Sequence, residues 1–338
     1  MLRVAILDDY AGLALDSADW SQLEGLAEIT VLREHVPATC VAETLGAFDV
    51  LCTMRERMAM PAQFFAALPR LKLVTIVGRG LGNLDLDAAT RAGVAIVHPG
   101  FEFGGPEAAR SVHATPELAW GLVLSAVRHI ALEDRRVRDG LWQGTTGTIL
   151  HGRTLGLLGL GNAGRLVARY GAAFGMEVIA WSQNLTSERA REGGAVRVER
   201  DELFARSDVV SIHLQLSERT RGLVGAEELA LMKPGAVLVN TSRGPIVDES
   251  ALVRALEEGR LGGAGLDVFD EEPLAAEHPL CRLPNVTLTP HLGYATREIL
   301  SLFYSDMPEA VAAFARGAPV RVLNPEALAD PLRATLPG

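Results

Sequence analysis

The segment Gly159–Leu160–Gly161–Asn162–Ala163–Gly164 follows an apolar run, Gly152–Leu158, and opens a stretch, Arg165–Phe174, that is able to form a helix. A strand that passes through a tight glycine turn into a helix is the first unit of a doubly wound parallel sheet, so this one feature removes most folds open to a chain of this size. Gly159 permits a sharp exit from the strand, Gly161 lets a pyrophosphate approach the backbone, and Gly164 leaves room where the helix meets the sheet. The amides of Asn162 and Ala163, at the helix start, are placed to receive phosphate charge. A turn of this form also occurs as a purely structural device; its position directly after TLGLLGL is what favours a dinucleotide.

The rest of the chain extends the same rhythm. Leu2–Leu7, Ile29–Leu32, Val50–Thr53, Leu73–Val77 and Val94–Val97 are short apolar runs separated by helix-like or turn-forming segments, the pattern of parallel strands with covering helices. Pro99–Gly105 interrupts it with proline, glycine and aromatics, and Pro116–Ile130 reads as a long helix, which puts a boundary near residues 100–115. After the glycine turn, Val178–Trp181, Val209–His213, Val237–Asn240, Gly263–Val268 and Val286–Thr289 continue a second strand series. Thr296–Ala315 reads as one long helix that either stays with this series or returns to the first unit. The fold class is therefore α/β, in two units.

Charge and composition narrow the function. Asp and Glu outnumber Lys and Arg by 42 to 32, a formal charge of -10, which argues against a general nucleic-acid role because phosphate backbones call for a positive footprint. No uninterrupted run reaches the roughly 18 apolar residues of a membrane-spanning helix. The opening LRVAILDDY turns acidic too soon for a signal peptide, so a soluble cytoplasmic protein is expected. Cys40, Cys52 and Cys281 are too scattered for a metal cluster and read as buried or incidental thiols. His98, His113, His129, His151 and His278 read as core, cap or surface residues, and no metal is expected.

Ser182, rather than Asp or Glu, follows the strand Val178–Trp181. An acidic residue at this place favours the free ribose hydroxyls of NAD, whereas Ser182 donates a hydrogen bond without repelling a phosphate, so NADP stays open beside NAD. Gln183 and Asn184 bring no positive charge to decide the matter, and Arg189 reads equally as a residue reaching this region or as a solvent-facing helical one.

The runs HGRTLGLLGLGNAG, LMKPGAVLVNTSRG, AGLDVFDEEP and TPHLG, in that order, resemble the D-isomer-specific 2-hydroxyacid dehydrogenase family, and in particular its phosphoglycerate dehydrogenase-like members. WGLVLSAVRHI and GRGLGNLDLDAAT extend the resemblance over roughly residues 70–295. The resemblance implies two Rossmann-like domains, with a nucleotide-binding domain (residues 111–295) inserted into a discontinuous substrate domain (residues 1–110 and 296–338) and the active site between them. It also implies a nicotinamide cofactor, reversible hydride transfer at C2 of a small 2-hydroxy or 2-oxo acid, and a homodimer.

The same resemblance distributes roles. Arg243, in the NTSRG run, is implied to bind the substrate carboxylate and 2-oxo oxygen, a task suited to a planar guanidinium fork. Composition leaves Glu271 and Glu272 tied as candidate carboxylates; the family pattern selects Glu272. Paired with His291, it would fix the imidazole tautomer and favour the charged ring, which then gives a proton during ketone reduction and takes one back in the reverse direction. Asp267 matches an aspartate near the nicotinamide carboxamide, with an Asx-type turn as its structural alternative. Thr241 and Ser242 are implied on the nicotinamide side, Leu214 and Gln215 beside the cofactor, and Gly293 at the close of the TPHLG run. Gln215 stands where the family often has proline.

Specificity is less legible. Gly78, Arg79 and Gly80 resemble the loop that holds the substrate carboxylate, and Arg79 either reads a second anionic group or faces solvent. Gly82 replaces an aspartate often found before Asn83, Phe101–Pro106 is longer and richer in glycine than the usual connection, and Tyr294 puts bulk where a small residue is common, near the nicotinamide. Retention of Arg243, Glu272 and His291 favours an enzyme; the alternative is a dinucleotide-sensing regulatory or corepressor-like protein without significant turnover.

Overall fold

A computed structural model describes residues 1–78, 82–98 and 110–329. The chain divides into two compact units, Met1–Gly105 with Thr296–Gly338, and Pro106–Ala295. In the first, strands β1 (Leu2–Ile6), β2 (Ala27–Val31), β3 (Val50–Met54), β4 (Leu73–Val77) and β5 (Ala95–Val97) form a parallel sheet of order β2-β1-β3-β4-β5. Every residue of β3 and β4 is buried, because helices cover both faces of such a sheet, and this is why these strands read as continuous apolar runs rather than alternating ones. Helices α1 (Val41–Leu45), α2 (Ala62–Ala67) and α3 (Leu86–Arg91) bring Leu45, Phe64, Phe65 and Ala89 to this core.

Among the described residues of the second unit, α4 (Ala114–Arg128) and α5 (Ile130–Arg138) precede the sheet. The single helix anticipated over 116–130 starts two residues earlier and stops at Arg128, because His129 takes a left-handed conformation (φ 54°, ψ 35°) and starts the chain in a new direction. Helix α4 buries Ala119, Trp120, Leu122, Val123, Ala126 and Val127, one stripe at helical spacing.

The seven strands of this unit are β6 (Thr154–Leu158), β7 (Glu177–Trp181), β8 (Val196–Arg197), β9 (Val209–Ile212), β10 (Val237–Asn240), β11 (Gly263–Leu266) and β12 (Val286–Leu288). They pair in parallel in the order β12-β11-β10-β9-β6-β7-β8. The order reverses between β6 and β9, and at such a switch point the loops leaving the two strands part and open a crevice at their carboxyl ends. The helices between them are α6 (Asn162–Ala173), α7 (Ser187–Glu192), α8 (Arg200–Arg206), α9 (Ala226–Leu231) and α10 (Glu249–Glu257). Helix α6 begins at Asn162, three residues before the sequence pattern places it, since Gly161 in extended backbone serves as its N-cap. The two-residue β8 is too short to leave a pattern in the sequence.

At the C-terminal end, the segment 296–315 is two helices and not the single one anticipated: α11 (Arg297–Ser305), capped by the Thr296 hydroxyl, and α12 (Met307–Ala315). Pro308 is the cause. It has no amide hydrogen to give and its ring excludes the carbonyl four residues earlier, so one helix cannot run through it. Beyond α12 the Asn324 side chain accepts from Ile96 N (2.8 Å) and donates to Val94 O (2.9 Å), stitching the chain's end to β5. Among the described residues no helix is long and apolar enough to cross a membrane.

Candidate active site

Strand β10 ends on Asn240, whose buried side chain shapes the loop that leaves it. Its Oδ1 accepts from Ser242 N (3.0 Å) and its Nδ2 donates to Arg243 O (2.9 Å), while Ser242 Oγ reaches across to Ile212 O at the end of β9 (3.0 Å). The loop that presents Arg243 is thus pinned to two neighbouring strands. Arg243 lies half-buried there, its guanidinium donating to Ser242 O (2.7 Å). Gly244 comes next, and any side chain at that place would collide with the Phe269 carbonyl; a glycine is what lets the loop after β11 come against the Arg243 loop.

That second loop carries Glu272. Its Oε1 accepts from Phe269 N (3.0 Å) and its Oε2 meets His291 Nδ1 at 2.6 Å, so each oxygen has a distinct partner. Burial pushes the Glu272 carboxyl up, but the hydrogen bond and charge of His291, the Phe269 amide and the nearby Arg243 guanidinium together outweigh it and hold the group below the usual glutamate range. The side chains of His291 and Glu272 remain 25% and 33% exposed, so the pair is open to a ligand rather than sealed in the core. The structure therefore gathers Arg243, Glu272 and His291, and it is Glu272 that meets the imidazole.

His291 has φ 54°, in the left-handed region that costs a non-glycine residue energy unless its surroundings hold it there. They do. Its amide donates to Asp267 O (2.9 Å) and Thr289 O (3.0 Å), and the Asp267 carboxylate accepts from Thr289 Oγ1 (2.6 Å), Leu292 N (2.7 Å) and Gly293 N (2.8 Å). Asp267 is 0% exposed. Burial raises its carboxyl above the usual aspartate range, against the pull of those three donors and of the His291 charge. Gly293 O in turn accepts from Thr115 Oγ1 of α4 (2.8 Å), and the Tyr294 ring packs edge-on to the imidazole.

The glycine turn lies at the carboxyl end of β6. Gly159 (φ 98°) runs so close to the His213 carbonyl that a Cβ would sit 2.6 Å from its oxygen, and a Cβ at Gly164 would strike the Gly159 carbonyl. Gly161 differs: among the described residues a Cβ there meets nothing within 4 Å, which leaves open space in front of the turn. Helix α6 has no side-chain cap at this end, so the amides of Asn162, Ala163 and Gly164 point out of a helix start with no side-chain acceptor on the cap. His213 backs the turn. Burial pushes its imidazole down to about 4, leaving it neutral near pH 7, and its Nε2 shares a hydrogen bond with Ser211 Oγ (2.9 Å). The residue as a whole is half-buried.

The remaining expected residues fall at strand ends. Ser182 is half-buried at the exit of β7, its carbonyl accepting from Leu185 N (3.0 Å), and Arg189 is exposed on α7. Leu214 packs against the core after β9, and Gln215, exposed, accepts from Thr220 Oγ1 through its carbonyl (2.7 Å). Among the described residues Thr241 Oγ1, at the end of β10, is buried without a hydrogen-bond partner, an unsatisfied polar group of the kind a ligand resolves. In the first unit Gly78 ends β4 with φ 105°, Gly82 is exposed, and Asn83 Nδ2 donates to Met58 O (2.5 Å). Arg79, Gly80 and the 101–106 segment lie outside the described residues. Sequence reasoning missed Asn240 and Thr115. Asn240, an Asx residue directly before a loop, carried a recognisable signal; Thr115, far along the chain from Gly293, carried none.

The family model "D-isomer specific 2-hydroxyacid dehydrogenase, NAD binding domain" matches residues 120–293. A glyoxylate reductase of Aeropyrum pernix is 42% identical over 269 residues, covering 76% of this chain and 78% of that protein. A D-3-phosphoglycerate dehydrogenase of Mycobacterium leprae is 40% identical over 260 residues, covering 76% of this chain and 48% of the relative. The crystal structure of a phosphoglycerate oxidoreductase from Vibrio cholerae matches with a TM-score of 0.83 and 34% identity, over 94% of this chain and 100% of that one. These likenesses are to reductases and dehydrogenases, and they lend no support to a regulatory protein without turnover.

Proposed function

The chain belongs to the D-isomer specific 2-hydroxyacid dehydrogenase family, and from that premise we propose that Arg243, Glu272 and His291 are its catalytic set. The protein is an NAD-dependent oxidoreductase that interconverts a D-2-hydroxy acid and its 2-oxo acid. The observation that carries the assignment of residues is the 2.6 Å pair of His291 Nδ1 with Glu272 beside the Arg243 guanidinium.

The residues present fit the cofactor. The open space at Gly161 and the amides of Asn162, Ala163 and Gly164 suit a pyrophosphate, with Gly159 shaping the turn. The unsatisfied Thr241 hydroxyl suits a polar group of the nicotinamide side, together with Ser242 and Gly293. Leu214 and Gln215, on the segment after β9, would flank the cofactor, and Ser182, at the exit of β7, would meet its adenosine ribose. When bound, the cofactor supplies hydride chemistry at the substrate's C2. The oxygens of Asp267 are engaged by the His291 loop, which supports a place under that loop.

In the reducing direction Arg243 holds the substrate carboxylate and 2-oxo oxygen in a two-pronged grip, which orients C2 and offsets the negative charge that grows on the oxygen. His291, charged, releases its Nε2 proton to that oxygen, and Glu272 keeps Nδ1–H in place throughout. In the oxidising direction neutral Nε2 takes the hydroxyl proton. The loop of Gly78, Arg79 and Gly80 is assigned to the acid end of the substrate.

Pairing of two chains is part of this reading. Helix α5 and the stretch after it display Ile130, Val137, Leu141, Trp142 (81% exposed) and Ile149 to solvent. Glu133 accepts from Gly144 N and Thr145 Oγ1 (2.7 Å), and Arg136 donates to Trp142 O (3.2 Å), so this apolar stretch is held in shape. An exposed apolar patch of this sort supports a homodimer. The free thiols Cys40, Cys52 and Cys281 and the use of NAD support a cytoplasmic site of action.

The test is consumption of NADH with glyoxylate, pyruvate, hydroxypyruvate and a phosphorylated 2-oxo acid, then the reverse reaction with separate D- and L-2-hydroxy acids. Turnover with at least one 2-oxo acid and reduction of NAD by D-enantiomers alone is the expected result. Absence of turnover across the panel, or preference for L-enantiomers, sinks the proposal.

A further inference from the structure

We propose that Tyr294 is a positioning residue for His291: its buried ring, set edge-to-face against the imidazole, holds that ring in the orientation that meets Glu272. The inference rests on reading His291 as the proton donor, and it begins from what the rest of the loop leaves undone. The bonds to Asp267 and Thr289 fix the main chain of 291–293, left-handed turn included, but they place only the root of the His291 side chain. Glu272 then touches the imidazole at a single atom, Nδ1. One hydrogen bond fixes a point and leaves the ring plane able to pivot about it, which moves Nε2, the atom that must face the substrate oxygen. A second surface is needed against the ring.

Tyr294 supplies it. The two ring centroids lie 5.9 Å apart at an interplanar angle of 75°, within the range of favourable edge-to-face pairs. Tyr294 is 5% exposed, so its ring is enclosed and cannot swing away into solvent. Its own root is set by the same clamp, through Gly293, and by the turn that Ala295 N closes onto Leu292 O (2.8 Å). The bulky residue that the sequence pattern placed near the nicotinamide is thus packed against the imidazole. A small side chain at 294 offers no such wall.

The contact is read directly by the ring-proton resonances of His291 in protein carrying labelled histidine, assigned by their loss in His291→Gln. An aromatic edge or face within this distance displaces those resonances, and Tyr294→Leu should return them toward ordinary imidazole positions while Tyr294→Phe keeps them. In parallel, Tyr294→Leu should lower kcat for 2-oxo acid reduction about tenfold, with KM and NADH affinity within about twofold, and Tyr294→Phe should stay within about twofold of wild type throughout. Resonances that do not move in Tyr294→Leu overturn the proposal, and so does an unchanged kcat once they have moved. Should Tyr294→Leu fail to fold, Tyr294→Met serves the same arm. Because the resonances report whether or not the enzyme turns over, loss of the dehydrogenase reading and loss of this one are told apart.

Discussion

Glu272 works at the residue scale by being shared: one oxygen steadies its own loop through Phe269 N and the other holds His291. Its carboxyl sits below the usual glutamate range, so the charged form that pairs with the imidazole persists to lower pH than in an unfolded chain. A depressed carboxyl contributes stability that is present above its unfolded value and lost as pH falls through the folded one. Activity should follow the same sense, with the His291 partner lost only on the acid side of the ordinary glutamate range. Replacing Glu272 with Gln keeps the shape and removes the charge; kcat should fall about 10–100-fold, with NADH affinity unchanged, in steady-state assays at pH 7. Arg243→Lys keeps a charge and loses the fork, and kcat/KM for the 2-oxo acid should fall about 100-fold or more. A lysine variant within threefold of wild type would remove the two-pronged grip from the account. These three residues, and the pairing of Glu272 with His291, were legible only through the ordered motifs around them; how Arg243 comes near that pair was not, because the loops carrying them leave different strands and meet at Gly244, whose reason for being glycine is a neighbour far along the chain.

Elements place these loops, and two of them make separable predictions. The glycine turn and α6 are the proposed phosphate site, and Gly161 is the position where, among the described residues, a methyl group enters empty space and not the fold. Gly161→Ala should therefore leave the melting temperature within about 2 °C while weakening NADH about tenfold in a fluorescence titration, the loss of about 1.4 kcal/mol. Gly164→Ala, which strikes the Gly159 carbonyl, should lose folded protein instead. At the opposite end of the sheet, Asp208 accepts from Thr154 N (2.8 Å), Lys233 (3.1 Å) and Arg153 (3.2 Å), joining the approaches to β6, β9 and β10. Burial raises its carboxyl, but Thr154, Lys233 and Arg153 overcome this and leave it lowered. Its contribution is complete above the unfolded aspartate value of about 3.9 and is lost as pH drops through the folded value. Asp208→Asn should cost about 2 kcal/mol in urea unfolding at pH 7 and much less near pH 2. An equal cost at both pH values contradicts the ionic role. Strand positions were readable because buried parallel strands are apolar throughout, whereas the break at Pro308 was printed in the sequence and overridden by the helical pattern on either side of it.

On the scale of the whole molecule, two parallel sheets share one chain, and the proposed catalytic residues stand on loops after strands of the second unit. Ser182 at the end of β7 brings no charge against a 2′-phosphate, so NADPH should bind measurably, with NADH preferred by less than about 100-fold, or about 2.7 kcal/mol. A larger preference in direct titration would show that another group excludes the phosphate. Light scattering should report a dimer, and Trp142→Arg should shift it toward monomer; an unchanged mass in that variant would move the interface elsewhere. The resemblance implied a homodimer, but the surface proposed to form it was not legible, since exposed apolar residues declare themselves only when the surface is known. The central claim is proton delivery by His291. Single-turnover mixing of NADH-loaded protein with its best 2-oxo acid, monitored by NADH absorbance, should show His291→Gln slowed about 100- to 10,000-fold with NADH binding intact. A His291→Gln enzyme that oxidises NADH within threefold of the wild-type rate would contradict it.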